Sequence, residues 1–558
     1  MMKFSAPSFF KDKAAWLLVL LSLTLPIHAQ PLAWQAASAV STGTGNANIT
    51  ATALDAAGNT VAVGAFEGTV AFGNTTLVSA GDYDVYVAWL NPAGVPYRAV
   101  RGGGVGADQA KAVGLDAAGN VVVAGVFSGG ATAFGTTALP HAGLTGTNDL
   151  FVARLSATGQ WTQAVRAGGN DDDVATALAV DAAGNVALTG WFGSSSLTLG
   201  SFSLANASPS FPTEDVFVAR LSPAGTWTQA VRAGGRNGEK GTAIAFDGSG
   251  NAVVGGDFDG SITFGTFTLN SPAGASTQDL FVARLSAAGQ WVQAVRAGSA
   301  FLSHLLLESS GNVAIAGTFY SATASFGAFS VTNSNPGNST SDMFVARLSA
   351  AGQWTQAASA GSLGYDTPQG LAFDGAGGLV LGGNYRTADM RFGTIILPPP
   401  AAYDVFVARL NAAGTWTSAI AAGSAGIDGV GALALLPNGN VQVVGFVSTP
   451  SATFGQFSFA TTAYNAFVAQ AGNTVLATRP VAATAALACF PNPARTHATL
   501  QVPVGQASPL VLLDALGRPV RTYPLPAHAT TATLDLTGLA PGLYVVRCGA
   551  ASAKLVVE

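Results

Sequence analysis

Short apolar runs separated by polar turns recur along the middle of this chain. In one stretch they occupy residues 175–181, 185–192, 215–221 and 227–233, and Val, Ala, Leu, Thr and aromatic residues dominate them. Runs of this length and composition, bounded by turn residues, are typical of β-strands. Because they do not alternate cleanly between apolar and polar, we expect strands covered on both faces. The pattern predicts a four-stranded antiparallel unit, whose strands are named a, b, c and d.

The unit is repeated. Asp-x-x-Gly-Asn, or a degenerate form of it, joins runs a and b in every copy, with its Gly at positions 58, 119, 184, 250, 311, 377 and 439. The steps between these glycines are 61, 65, 66, 61, 66 and 62 residues, so seven copies fill the middle of the chain. An Asp that accepts hydrogen bonds inside the turn, followed by a Gly in the left-handed region, favours a tight hairpin.

The two ends of the repeated part complement each other. The last copy stops after its run c at 465–470, whereas a segment similar to run d, AWQAASAV at 33–40, precedes the first copy. We therefore expect an all-β fold at 30–470, a seven-bladed β-propeller of four-stranded blades. The N-terminal strand would complete the last blade and leave no free sheet edge. An open stack of hairpins is the alternative.

The repeat resembles bacterial β-propeller repeats in which an Asp-x-x-Gly-Asn-Val-x-Val-x-Gly hairpin is followed by Asp-x-Phe-Val-Ala-(Lys/Arg)-Leu and a Gly-Gly turn. Residues 116–125 and 149–155 carry the first two motifs. The resemblance implies the fold, and the family has no agreed activity.

The charge of the chain bears on its partners, and its N-terminus indicates export. Charged residues make up only 9% of the chain and the formal net charge is −5, which argues against a nucleic-acid partner. Lys3, Lys11 and Lys13 precede an apolar run at 14–25 and a small residue at Ala29, which predicts a secretory signal peptide at 1–29. The alternative is a membrane anchor. It needs about 20 apolar residues, and since no run is that long, we predict no transmembrane segment.

Candidate ligand-binding residues lie in the links between run d and the next run a. These links share one end of the blades with the variable b–c connections, and variable loops on a rigid scaffold are the usual layout of a binding surface. Their carboxylates could hold calcium or bind sugar hydroxyls. Alternatively each caps its own turn in water, and no Asp-x-Asp-x-Asp-Gly calcium loop is present. We expect no other cofactor. The acids are Asp108, Asp171, Asp172, Asp173, Glu239, Asp366 and Asp428.

Two other repeated residue types have structural explanations. Arg recurs in runs c and d, as at Arg154 and Arg166. We expect these side chains to pair with Asp residues of the blades or to lie along apolar surface rather than form a ring around a ligand. The Trp that begins run d, as at Trp161, is expected to pack between blades.

Catalytic motifs are missing from the sequence. The five His residues have no partner in phase with the repeat, and no Gly-x-Ser-x-Gly elbow, HExxH or phosphate loop occurs. We predict that the protein is not an enzyme. A glycosidase-like pair of loop carboxylates is the alternative.

The sequence changes character near its C-terminus. A linker of small residues at 471–488 leads into about seven short apolar runs at 489–558, which predict a small Ig-like β-sandwich. The chain's two cysteines, Cys489 and Cys548, both lie here and either form a disulfide or stay free.

This segment resembles the C-terminal sorting domain of the type IX secretion system of Bacteroidetes, the Por secretion tail. The resemblance covers a Pro-Asn-Pro opening, an Asp-x-x-Gly-Arg-x-Val hairpin, a Leu-x-x-Gly-x-Tyr-Val-Val strand and a terminal Lys-Leu-x-Val. It implies a secretion translocon and a sorting protease as partners, followed by tail removal and secretion or retention at the outer-membrane surface. An ordinary Ig-like adhesion module is the alternative. The motif residues are Pro491, Asn492, Pro493, Gly517, Gly542, Tyr544 and Lys554.

Together these features predict a secreted or cell-surface β-propeller that acts as a binding or adhesion module for a glycan or another surface protein. A structural, self-associating surface protein and a polysaccharide-active enzyme are the alternatives.

Overall fold

The computed structural model describes residues 32–144, 146–208, 213–247, 249–272, 278–337, 340–448, 451–461, 464–473, 487–501, 509–515, 517–526, 529–548 and 551–558. The chain divides into two compact units, Met1–Asn473 and Thr474–Glu558, which are described separately. The predicted signal peptide at 1–29 and residues 474–486 of the predicted linker lie outside the described residues.

The first unit is built from short strands. β1–β9 are Leu32–Ala39, Thr42–Gly43, Asn46–Ala47, Ala51–Leu54, Thr60–Glu67, Thr69–Phe72, Thr75–Val78, Asp84–Leu90 and Pro96–Gly104. β10–β15 are Asp108–Leu115, Val121–Ser128, Thr132–Phe134, Thr137–Leu139, Asn148–Leu155 and Trp161–Ala167. β16–β21 are Asp173–Val180, Val186–Phe192, Ser196–Leu199, Phe202–Ala205, Asp215–Leu221 and Trp227–Gly235. β22–β27 are Glu239–Phe246, Ala252–Phe258, Ser261–Phe264, Phe267–Asn270, Asp279–Leu285 and Trp291–Ala297.

The remaining strands of this unit repeat the series. β28–β33 are Phe301–Leu307, Val313–Phe319, Thr323–Phe326, Phe329–Thr332, Asp342–Leu348 and Trp354–Ala360. β34–β39 are Thr367–Phe373, Leu379–Tyr385, Arg391–Phe392, Ile395–Ile396, Asp404–Leu410 and Trp416–Ser424. β40–β44 are Gly429–Leu435, Val441–Val447, Ser451–Phe454, Phe457–Ala460 and Asn465–Asn473.

Antiparallel pairing assembles these strands into blades with the order a, b, c, d. In the described part of the chain, blades 1 to 7 are β4–β5–β8–β9, β10–β11–β14–β15, β16–β17–β20–β21, β22–β23–β26–β27, β28–β29–β32–β33, β34–β35–β38–β39 and β40–β41–β44–β1. The a–b turns have the predicted chemistry. In blade 2, Asp116 Oδ1 accepts the N–H groups of Ala118 and Asn120 at 2.9 Å each, and Gly119 has a φ of 77°.

The blades form a closed ring. β1 pairs with β44 from Leu32 opposite Asn473 to Ala39 opposite Phe467. Each innermost strand contacts the next, β40 contacts β4, and one central channel is lined from all seven blades. The all-β propeller class predicted from the sequence is therefore confirmed. The last strand runs to Asn473, three residues past the predicted boundary at 470.

The b–c connection of each blade contains a hairpin that the sequence analysis missed. β12, for example, pairs both with β13 and with the end of β9 in the preceding blade, Thr132 opposite Gly104. In six of the seven blades the first hairpin strand ends on a Phe, which anchors the hairpin. Phe264, for example, is fully buried, with its ring centroid 4.9 Å from those of both Phe281 and Trp291. The hairpins therefore tie neighbouring blades together.

Side chains add further ties between blades. Arg154 of blade 2 donates to the carbonyl oxygen of Gly184 in the a–b turn of blade 3, at 2.8 Å. Arg220, Arg284, Arg347 and Arg409 make the same contact at their own junctions. These strand-c arginines thus bind a turn carbonyl, whereas pairing with Asp residues or contact with apolar surface was expected from the sequence. Arg220 also makes the apolar contact, with its guanidinium 5.1 Å from the ring centroid of Phe246. The Trp residues pack between blades as expected, since Trp161 Nε1 donates to the carbonyl oxygen of Arg101 at 2.8 Å.

The second unit is a small two-sheet sandwich. β45–β51 are Ala488–Phe490, His497–Gln501, Leu510–Leu513, Pro519–Tyr523, Thr531–Asp535, Gly542–Cys548 and Ala551–Val557. One sheet has the order β45–β46–β49 and the other β48–β47–β50–β51. Buried side chains from both sheets, including Leu500, Leu512 and Val546, form its core.

Candidate functional site

Five of the seven predicted ligand-binding acids lie inside the protein. They stand at or just before the start of strand a, and each has at most 1% of its surface exposed: Asp108, Asp173, Glu239, Asp366 and Asp428. Asp171 is exposed, and the half-buried Asp172 accepts the backbone N–H of Asn148 at 2.8 Å through Oδ1. A ligand at the loop surface can therefore reach Asp171 and Asp172, whereas the other five would need a rearrangement.

Each buried acid has a second carboxyl as its neighbour, from the Asp that begins strand c of the preceding blade. Asp215 and Glu239 are hydrogen-bonded to each other, and the other pairs interact through their charges. The pairs are Asp84 with Asp108, Asp149 with Asp173, Asp215 with Glu239, Asp342 with Asp366, and Asp404 with Asp428.

Burial and the neighbouring charge make these acids hard to ionise. Burial, assisted by the partner carboxylate, raises the pKa of Asp108, Asp173 and Asp366 to about 7 and that of Glu239 to about 9. Two carboxyl groups form a hydrogen bond only when one of them holds a proton. The Asp215–Glu239 pair therefore carries a shared proton at neutral pH.

The strand-c aspartates also bind the arginines of strand d. Arg101 lies 2.8 Å from Asp84, and the same ion pair joins Arg166 to Asp149, Arg232 to Asp215 and Arg296 to Asp279. This confirms the pairing predicted for these arginines. The acids thus belong to structural networks that join strand c, strand d and the following blade.

Two junctions depart from this arrangement. In blade 5 the position of the buried acid is taken by Ala300, and the backbone N–H of Ser299 donates to Asp279 instead. In blade 1 it is taken by Ala47, which pairs with Phe66 as Asp108 pairs with Phe127. Asn465 also replaces the Asp of strand c in blade 7. The junction between blades 7 and 1 therefore has no carboxyl at either position.

A pocket of about 280 Å³ opens at the junction of blades 7 and 1, which lacks the buried carboxyl pair. Its lining is aromatic and amide: Asn46, Ala47, Asn48, Tyr83, Phe446 and Tyr464. The rings of Phe446 and Tyr464 have centroids 5.9 Å apart, and Tyr83 and Tyr464 are 37% and 46% exposed. Several aromatic faces with a few polar groups are typical of a small-molecule binding site.

Backbone contacts fix the walls of the pocket. The N–H of Ala47 donates to the carbonyl oxygen of Tyr464 at 3.0 Å, and the Tyr86 hydroxyl donates to the carbonyl oxygen of Asn48 at 2.7 Å. Asn48 Oδ1 accepts the N–H of Ala65 at 3.0 Å, which leaves its amide nitrogen as a donor for a ligand. Burial, together with Glu67, raises the pKa of Tyr83, so its hydroxyl stays protonated.

The tyrosines of the pocket belong to an arc. A Tyr stands immediately before strand c in blades 6, 7 and 1, which are neighbours in the ring: Tyr403, Tyr464 and Tyr83. Arg386 covers the ring of Tyr403 at 5.4 Å from its centroid. This arc was not predicted from the sequence, although the phase of the repeat and the predicted ring closure place these three tyrosines on neighbouring blades.

Two of the sorting motif residues, Asn492 and Lys554, contact each other in the second unit. Asn492 Nδ2 donates to the carbonyl oxygen of Lys554, and Asn492 Oδ1 accepts the N–H of Val556, both at 2.8 Å. The Tyr544 hydroxyl donates to the carbonyl oxygen of Ala540 at 2.8 Å, and Gly517 has a φ of 79°. These two hydrogen bonds of Asn492 hold the Pro491-Asn492-Pro493 opening against the terminal strand. Gly542 has open space around the position of a side chain, so no close contact requires a glycine there.

The disulfide considered between Cys489 and Cys548 is not formed in this structure. Cys489 lies on β45 of one sheet and Cys548 on β50 of the other.

The described residues contain neither a cluster of metal-ligating side chains nor a membrane-spanning helix. Nowhere in that part of the chain do three or more His, Cys, Asp or Glu side chains come together as a metal site would need. The same part of the chain holds no helix long and apolar enough to cross a membrane.

Comparison with known protein families supports the predicted C-terminal sorting domain. Residues 488–558 match the family described as secretion system C-terminal sorting domain, so the chain carries a type IX sorting tail and is exported to the cell surface or the medium. No curated protein matches the chain.

Among solved structures, similarity extends to other propellers. The chain is similar to Sqt1 from Chaetomium thermophilum, with 11% identity, a TM-score of 0.35 and coverage of 74% of this chain and 83% of that one. It is also similar to the Dos1 propeller, with 9% identity, a TM-score of 0.34 and coverage of 79% of this chain and 96% of that one. For the Pan2 WD40 domain of Neurospora crassa the identity is 9% and the TM-score 0.31, with coverage of 65% of this chain and 89% of that one. Because these scores are low, the propeller assignment rests on the sheets described above.

Proposed function

We propose that the propeller is a non-enzymatic binding module, displayed at the cell surface or released, which holds an uncharged glycan in the aromatic pocket between blades 7 and 1. The observation that carries this proposal is the pocket lining, with three aromatic rings, two Asn residues and no carboxyl. Aromatic faces cover the apolar faces of sugar rings, while amides bind the hydroxyls.

The other junctions support the choice of site. A buried acid occupies the place of Ala47 at five junctions, and each of these acids interacts with the strand-c aspartate of the preceding blade. These acids are turned away from solvent, which supports binding rather than acid–base catalysis on the loop surface.

A glycan array probed with the purified full chain, with and without calcium, tests the proposal. We expect calcium-independent binding to a restricted set of neutral glycans, with no release of product. Concentration-dependent assembly without any glycan binding would favour the structural alternative, and released oligosaccharide would favour the enzyme. The sorting tail would retain its role in export in either case.

A further inference from the structure

The innermost strand of each blade contains a β-bulge. In blade 2 the pairing of β10 with β11 shifts between Ala110 and Ala112, so Lys111 has no partner across the ladder. The same shift occurs in blades 3 to 7, and in blade 1 Thr50 holds the corresponding place between β3 and β4. A bulge redirects its side chain. The seven bulge residues all line the central channel: Thr50, Lys111, Thr176, Thr242, Ser303, Gln369 and Gly431.

Two of these side chains serve the fold. Thr50 Oγ1 donates to the carbonyl oxygen of Ala110 in the next blade at 2.8 Å, and Thr176 Oγ1 donates to that of Gly241 at 2.7 Å. Thr242, Ser303 and Gln369, from the consecutive blades 4, 5 and 6, form no side-chain hydrogen bond with another described residue. They offer hydroxyl and amide groups along one arc of the channel.

Lys111 is the only charged side chain among the described residues that line the channel. Its ammonium donates to Gln109 Oε1 at 2.8 Å, and no carboxylate of the described residues forms an ion pair with it. Burial lowers the pKa of Lys111, because removing the ammonium from water disfavours its charged form. An anion in the channel would compensate this charge.

His304, the other titratable group in the channel, does not add positive charge at neutral pH. Burial lowers the pKa of its imidazole to about 4, and the ring is hydrogen-bonded to the backbone of Gln369. The channel therefore has one cation, on blade 2, and neutral polar groups on blades 4 to 6.

We infer that the central channel binds a small hydroxylated carboxylate of the sugar-acid class, with its carboxylate on the Lys111 ammonium and its hydroxyls on Thr242, Ser303 and Gln369. The channel volume of about 270 Å³ lies just below the usual range of ligand pockets, which suits a single small molecule. This site is separate from the aromatic pocket and takes a charged ligand, so each can fail without the other.

Calorimetric titration of the full chain with sodium glucuronate and with glucose tests this inference. We expect glucuronate to bind and glucose to bind at least about 10-fold more weakly, since only glucuronate carries the carboxylate. Lys111→Met should weaken glucuronate binding at least about 10-fold and Lys111→Arg less than Lys111→Met. Lys240→Met is the matched control, because Lys240 lies outside the channel, against Glu214 and the ring of Trp191.

Four results would overturn the inference: no glucuronate binding by the wild-type chain, equal affinity for glucose, unchanged binding in Lys111→Met, or equal loss in Lys240→Met. Thermal unfolding of each variant shows whether it is folded. If Lys111→Met is not, Ser303→Ala provides the second test, with weaker glucuronate binding expected and unchanged binding contradicting the site.

Discussion

The carboxyl groups of Asp215 in blade 3 and Glu239 in blade 4 are hydrogen-bonded to each other in the protein interior. The guanidinium of Arg232 lies 3.1 Å from the Asp215 carboxylate, and the backbone N–H of Gly235 donates to the Glu239 carboxyl at 2.9 Å. Equivalent carboxyl pairs join four other blade junctions. The ring is thus held together by groups whose protonation changes with pH.

Stability should fall as the pH rises. A buried acid with a raised pKa keeps its proton in the folded state while the unfolded chain ionises, so the free energy of unfolding decreases from the ordinary carboxyl pKa up to the folded value. For Glu239 that window extends to about pH 9. Urea denaturation between pH 5 and pH 9 should show a continuous loss of stability.

Glu239→Gln isolates one pair, because Gln keeps a hydrogen-bonding group and cannot ionise. One pKa unit corresponds to about 1.4 kcal/mol, so the variant should lose less stability than wild type between pH 5 and pH 9, by about 1 kcal/mol or more. Glu214→Gln, at a partly exposed side chain 3.3 Å from Lys240, is the control and should keep the wild-type slope. Parallel pH profiles for wild type and Glu239→Gln would exclude the shared proton.

Ring closure depends on Trp34. Its side chain is 7% exposed, its Nε1 donates to the carbonyl oxygen of Ala421 at 3.0 Å, and its ring meets that of Phe454 edge-on at 5.0 Å. Trp34→Ala should lower the free energy of unfolding by about 3–5 kcal/mol. Tyr97→Ala, at a half-exposed ring, should have a much smaller effect. Equal effects in urea denaturation would contradict the closing role of the N-terminal strand.

The hairpin Phe residues should be structural. Phe264→Ala removes a fully buried ring between Phe281 and Trp291, and a cost of about 3–5 kcal/mol is expected. Phe329→Ala changes a hairpin ring that is 37% exposed and serves as the control. A small, equal loss for both variants would mean that the hairpins do not tie the blades together.

Much of the fold could be predicted from local pattern. The Asp-x-x-Gly-Asn turns and the d-like segment at 33–40 indicated the strands and the ring closure, because turn chemistry and strand length depend on neighbouring residues. The hairpin of Thr69–Phe72 and Thr75–Val78 was read as loop, as were its equivalents, since a strand of four residues or fewer has too short a pattern to stand out. Its pairing with the preceding blade is a tertiary feature.

The site was less predictable. Asp108 and its equivalents stand beside turn residues in the sequence, which suggested exposed loop carboxylates. Each of these acids has a partner 24 residues earlier in the chain, as Asp108 has Asp84, and sequence spacing does not show such contacts. The bulge at Lys111 adds one residue to a strand without changing its composition, so the channel-lining set could not be recognised before the register was known.

The measurement that tests the central claim most directly compares three full-length chains on the same array of neutral glycans: wild type, Tyr464→Ala and Tyr365→Ala. Tyr365 is 40% exposed in a loop of another blade junction and lies outside the pocket. We expect Tyr464→Ala to lower binding at least about 5-fold, because truncating an aromatic contact at the centre of a site costs more than about 1 kcal/mol. Tyr365→Ala should bind as wild type does. Unchanged binding by Tyr464→Ala, or equal loss in both variants, would contradict the placement of the glycan at the junction of blades 7 and 1.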